Sequence, residues 1–271
     1  MTPAVKEFFR RQSDNPRLPL YETYLQSIAA ESGNDVFWRF VFAFTSIHSN
    51  YESNIRAYQI LRNPGAWQGE DTLRQALVAA RCGLYNNRAR FLWKFAHEFF
   101  FGSFMALQFA DNLLEKRNMM VERLHGIGRA KTSFALEMSF PTQSEVVCMD
   151  VHHLRLYDLS ESPTRADYER CERDWCWRSE ELGVSPYAMR NVFWDENKGQ
   201  PSPRFWTFVF EPKLEQTDIA LVAGLDFGET PDVASIRTMS HNTENHETKH
   251  LPPQRGPVLN MDVDTTVALT T

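Results

Sequence analysis

Apolar residues recur at spacings of three and four along most of the chain, in the sets Leu20-Tyr24-Ile28, Val36-Phe40-Phe44-Ile47, Ile55-Tyr58-Leu61 and Leu84-Phe91-Phe95-Phe99. That spacing puts one apolar stripe on a helix of 3.6 residues per turn. Start and stop signals divide the pattern at Pro64-Gly65, Gly83, Gly126-Ile127-Gly128, Pro141, Ser162-Pro163, Gly183 with Pro186, and Gly199 to Pro203. Helices of ordinary length fit between them, roughly ten in all. The one alternating run of strand length is Glu145–Met149, which lies just before an aspartate. There is no internal repeat, and the pattern predicts an all-α fold. From Gly228 the sequence turns Ser/Thr/Asn/Pro-rich and has no aromatic residue. Residues 228–271 therefore read as a disordered tail.

With 42% hydrophobic and 13% aromatic residues in 271, the remainder can bury a sizeable core. The four cysteines, Cys82, Cys148, Cys171 and Cys176, stand in a chain with no secretory leader. They read as reduced thiols in a cytoplasm-like compartment. No run of about 18 uninterrupted apolar residues occurs, so no membrane span is expected. The net charge of −6 weighs against a nucleic-acid binder, because such proteins usually carry a basic excess. The objection is partial. Three basic and six acidic residues fall in 228–271, which leaves 26 basic against 29 acidic in the first 227 residues. A locally basic face on a nearly neutral body remains open.

The stretch from Val121 to Met138 reads as helix, tight glycine hairpin, helix. Gly126 and Gly128 can adopt backbone angles closed to other residues and let a partner approach closely. A helix starting near Arg129 would leave its first amides unpaired and its positive dipole end exposed, which suits a phosphate. Such a contact positions nucleic acid without reading its sequence. An ordinary helix-helix turn explains Gly-x-Gly equally well. Next, the run Val146-Val-Cys-Met149 delivers Asp150 to the start of another helix, with His152, His153 and Arg155 following. Taken alone, that aspartate reads as a helix N-cap.

Together, Leu124-His-Gly-Ile-Gly128 and Met149-Asp-Val-His-His-Leu-Arg155 resemble the helix-hairpin-helix plus Gly/Pro-Asp signature of the endonuclease III and 8-oxoguanine DNA glycosylase superfamily. There the hairpin Leu-Pro-Gly-Val/Ile-Gly-x-Lys precedes Val-Asp-x-His-x-x-Arg by about twenty residues, the spacing seen here. Gly83-Leu-Tyr-Asn-Asn-Arg-Ala-Arg90 looks like the family's Gly-Leu-Tyr-x-x-Lys-Ala helix start, and His48 stands where a duplex-probing glutamine is expected. The resemblance covers roughly residues 35–210. It implies a two-lobed all-helical domain over 35–227, with residues 1–34 as an N-terminal helical extension.

The implied activity is cleavage of an N-glycosidic bond on a nucleotide flipped out of duplex DNA by a monomeric enzyme, in the cytoplasm, nucleoid or nucleus. Asp150 would stabilise charge on the sugar, and a hairpin lysine would attack it to form a Schiff base. The family lysine follows the second glycine by two residues, where this chain has Ala130, with Lys131 one later. Lys131 is thus either the nucleophile or a phosphate contact, and in the second case the enzyme would be monofunctional. Gly126, Ile127, Gly128, Arg129 and His48 are the implied DNA contacts. His152 would order the aspartate loop. One of Trp175, Trp177, Trp194 and Trp206, with Trp206 the named candidate, or else Phe205, would line the base pocket, while most of the four tryptophans would be core. No iron–sulfur cluster, metal or other cofactor is expected, because Cys171 and Cys176 lack the partners of a four-cysteine loop and adjacent helical histidines point apart. Two other functions fit the same residues: a viral-type transferase that hypermodifies DNA bases, and a non-catalytic DNA-binding module.

Overall fold

A computed structural model describes residues 2–143, 145–204 and 208–210. Among these the fold is all helical. The elements are α1 (Pro3–Arg10), α2 (Arg17–Ser27), α3 (Gly33–Thr45), α4 (Tyr51–Leu61), α5 (Glu70–Ala79), α6 (Tyr85–Phe101), α7 (Leu113–Arg123), α8 (Arg129–Ser139), α9 (Val151–Leu156), α10 (Arg165–Glu181) and α11 (Pro186–Asn197). The predicted tail, 228–271, lies outside the described residues. Short polar side chains set the starts. Ser32 and Asp35 close a reciprocal capping box on α3, and Asn50, Thr164 and Ser185 accept amide hydrogen bonds at α4, α10 and α11.

The periodic stripes form the core. On α3, Val36, Phe40 and Phe44 are fully buried, and Phe40 and Phe44 meet Phe95 of α6 at ring separations of 5.2 and 5.4 Å. Each such side chain contributes about 1.5–3 kcal/mol of transfer free energy. Leu84 departs from its stripe. It caps α6 in the left-handed conformation (φ 58°), and its side chain is 55% exposed.

Helix α8 is buried from Thr132 to Ser139 and packs along α3 on one side and α7 on another. The first two helices return to the last two. Phe8 and Phe9 of α1 lie 5.5 and 4.9 Å from the ring of Trp175 on α10, and Tyr21 of α2 donates a 2.6 Å hydrogen bond to Asp195 on α11. The buried α8 is therefore the fixed rod against which the hairpin before it and the aspartate loop after it are both positioned.

Candidate active site around Asp150

The α7–α8 connection turns at Gly126, whose φ of +94° lies in the left-handed region. A Cβ there would stand 2.0 Å from the Phe91 ring of α6, so the turn and the close packing both require glycine. Gly128 differs from the expectation. Its φ of −100° and ψ of 178° are open to any residue, and a Cβ would meet nothing within 4 Å. The turn therefore does not need Gly128, and the space in front of it is open. Ile127 is only 4% exposed, so its side chain anchors the hairpin in the core and only its backbone can face a ligand. Helix α8 starts directly at Arg129 with no side-chain cap, leaving its first amides to an external acceptor. Arg129 itself is half-buried, with Nε 3.9 Å from Glu169 Oε1.

The run Val146–Met149 before Asp150 is buried and irregular, closes on a hydrogen bond from Asp150 N–H to the Cys148 carbonyl (3.1 Å), and pairs with no strand among the described residues. Side chains satisfy its amides instead. Val147 N–H donates to Glu172 Oε1 (2.9 Å), Cys148 N–H to Glu137 Oε2 (3.0 Å) and Met149 N–H to Tyr168 Oη (3.1 Å). Tyr168 Oη in turn donates to the Val147 carbonyl at 3.2 Å. Asp150 then caps α9. Its Oδ1 accepts from the backbone N–H groups of His152 (2.9 Å) and His153 (3.2 Å) and lies 2.9 Å from His153 Nδ1. Its side chain is 22% exposed, so one face of the carboxylate is presented outward.

Burial pushes the Asp150 carboxyl up, but the His153 ring and backbone N–H and the buried Arg190 cation outweigh it and hold the pKa well below the usual carboxylate range. His153 is fully buried, with its ring centroid 5.0 Å from that of Trp175 and 4.4 Å from that of Phe193. Desolvation lowers its pKa against the pull of Asp150. A neutral ring with the proton on Nδ1 fits both facts, since Nε2 has no hydrogen-bond partner to receive a second proton. The ring that orients Asp150 is thus that of His153 and not of His152. Residue 153 lies three positions past the cap and turns back onto it. The His152 ring instead meets Trp194 at 5.0 Å, and only its backbone reaches Asp150.

Lys131 is the third residue of α8 and partly exposed, with Nζ 5.3 Å from the Phe134 ring. It bears electrostatically on Cys148, two residues before Asp150. Burial pushes the Cys148 thiol up to about 12, which leaves it protonated and inert as a nucleophile. His48 is exposed in the α3–α4 turn with φ 49°, a left-handed angle uncommon for a residue with a side chain. Arg88 braces the turn from below, donating to the Ile47 carbonyl, Ser49 Oγ and Cys82 Sγ. Leu84, between Gly83 and the start of α6, is likewise exposed in a left-handed conformation (φ 58°). Trp206 and Phe205 lie outside the described residues. Among the described residues no cluster of His, Cys, Asp and Glu could hold a metal ion.

No family model and no curated protein matches the chain. Solved structures do. The 8-oxoguanine DNA glycosylase of Methanocaldococcus jannaschii aligns at 18% identity and a TM-score of 0.57, covering 72% of this chain and 94% of that one. The same archaeon's 8-oxoguanine glycosylase/lyase in complex with a 15mer DNA containing 8-oxoguanine gives 16%, 0.59, 72% and 97%. The 8-oxoguanine DNA glycosylase of Thermotoga maritima gives 19%, 0.59, 72% and 96%. At these identities the likeness is one of fold, and this chain has that helical fold over nearly the whole length of each neighbour.

Proposed function

We propose that this protein is a DNA glycosylase that releases a modified base flipped out of duplex DNA, with 8-oxoguanine, the base named for its structural neighbours, as the first candidate. The observation that carries the reading is Asp150. It is an ionised, outward-facing carboxylate fixed by three N–H donors, on a fold that its neighbours use on DNA, close in sequence to an uncapped helix start. A structural cap could be supplied by serine or threonine; a buried-side negative charge held strongly ionised suits a site where positive charge develops on a sugar.

In the reaction the C1′–N bond breaks, its electron pair leaves with the base, and the base takes up a proton. Asp150 stabilises the cationic sugar. The incoming group is either water or the Lys131 amine. Attack by the amine opens the sugar ring to an iminium, and loss of a C2′ proton then eliminates the 3′ phosphate and cuts the strand. Lys131 lies in the first turn of α8, partly exposed and nineteen positions before Asp150, and this supports the amine route. The α8 amides and the open face at Gly128 hold a phosphate. His48 and Leu84, both exposed in left-handed conformations, enter the duplex beside the extruded nucleotide, as apolar and aromatic wedges do elsewhere.

The test is to incubate the protein with duplexes carrying single modified bases and weigh the products. Free base with an abasic or cut strand supports the reading; added mass on an intact base would make the protein a transferase, and an unchanged panel bound tightly would make it a binding module. Borohydride traps a covalent adduct that Lys131→Gln removes if the amine attacks. Base release without an adduct would leave Asp150 and water as the machinery.

A further inference from the structure

The segment that aims Asp150 has no sheet to hold it, and its polar backbone is tied down by charged side chains in the core. Glu137 lies on α8 with its side chain 1% exposed. It ion-pairs with Arg190 of α11, whose side chain is 3% exposed (Nε–Oε1 2.7 Å), while its other oxygen accepts from Cys148 N–H. Glu172 on α10 repeats the arrangement one residue earlier, paired with buried Arg117 and accepting from Val147 N–H and Ser133 Oγ. Two buried ion pairs are not what stability asks for. Well-packed apolar residues of the same volume generally serve a fold as well or better, because ions pay a desolvation penalty. What apolar residues cannot do is accept a hydrogen bond from a backbone amide.

We infer that Glu137 is a positioning residue for the reaction: by accepting from Cys148 N–H it fixes the backbone two residues before Asp150, and Arg190 is present to keep that carboxylate's charge compensated in the core. The inference rests on the glycosylase reading for its effect on rate and on the structure for its effect on the loop. Glu137 touches no substrate. It links α8, which carries Lys131, to the loop carrying Asp150, so it sets the separation of the two groups.

Two double variants isolate the hydrogen bond. Glu137→Met/Arg190→Met removes both charges and keeps the volume. Glu137→Gln/Arg190→Met removes the same charges but restores an acceptor for Cys148 N–H. Both lose Arg190, so any effect of that cation on Asp150 is common to them. The expected result is that both proteins are fully folded at the assay temperature, with a lower melting temperature in the Met/Met protein, whose buried Cys148 N–H is left unpaired. KM for duplex should be equal, while kcat is at least about tenfold lower in the Met/Met protein than in the Gln/Met protein, since small misplacements of a reacting group cost factors of this size. Amide hydrogen exchange at residues 147–150 should be faster in the Met/Met protein only. Equal kcat in the two, or a fall that comes with partial unfolding at the assay temperature or with a raised KM, overturns the inference. If the wild-type protein releases no base, the glycosylase reading fails by itself. Exchange at 147–150 then decides the positioning claim, and equal exchange in the two variants refutes it.

Discussion

Asp150 has two roles that can be separated by substitution. As a cap it accepts backbone N–H groups that asparagine can also accept, but asparagine loses the ionised carboxylate that the fold stabilises, so Asp150→Asn should cost about 2–4 kcal/mol by urea unfolding at neutral pH. As a charge it has no substitute. Its folded pKa lies below the unfolded value, so the stability it contributes is complete above the ordinary carboxylate range and is lost progressively as pH falls from that range down through the lower folded value. The Asn variant should therefore show a shallower loss of stability on acidification; an identical acid limb would mean that the carboxylate is not held ionised. His153→Leu fills the cage between Trp175 and Phe193 but deletes the ring donor. The Asp150 pKa should rise, moving the acid limb of the rate profile to higher pH, while at neutral pH the carboxylate stays ionised and the rate falls only through its lost orientation. A profile unchanged in position would assign the depression to the backbone donors alone. That Asp150 caps a helix was legible in the sequence from the apolar run before it. The choice of His153 over His152 was not, because it depends on where the first turn of α9 points each ring once Trp175 and Phe193 have formed the cage.

The hairpin's two glycines now carry different predictions. Gly126→Ala forces a side chain into a left-handed turn against Phe91 and should cost about 1–3 kcal/mol of stability. Gly128→Val should leave stability within about 1 kcal/mol, because its backbone is extended and its surroundings are empty. Its DNA affinity should nonetheless fall about tenfold for all sequences alike, through a blocked phosphate approach. A Gly128→Val protein that binds normally would remove the hairpin from the interface. The helices were readable because stripes and caps are local: Ser32, Asn50 and Thr164 each announce the element they start. The run Glu145–Met149 was misleading for the complementary reason. Alternation predicts a strand, but 146–149 is an irregular buried run with no strand partner among the described residues, and its backbone is satisfied by Glu137, Glu172 and Tyr168, up to 25 residues away.

At the scale of the whole chain, the formal charge of −6 is unevenly distributed along the sequence. Residues 1–210 hold 25 basic and 25 acidic side chains, so the excess sits entirely in 211–271. A chain ended at Phe210 should bind duplex DNA more tightly at low salt, and the two proteins should converge at about 0.5 M salt, where the Debye length is only a few ångströms. Equal affinity at low salt would show that the acidic segment does not feel the bound DNA. The all-helical fold class was visible from the apolar stripes, and the likeness in fold to the 8-oxoguanine glycosylases from two short motifs. The base was not, because a base pocket is assembled from side chains of several helices with no common spacing. The central claim is that Asp150 drives base release, and it is tested most directly by single-turnover assay of an 8-oxoguanine duplex with enzyme in excess. Wild-type protein should release free 8-oxoguanine, and Asp150→Asn, still folded and still bound to the duplex, should be slower by about 100-fold or more. Release by Asp150→Asn at the wild-type rate would contradict the account.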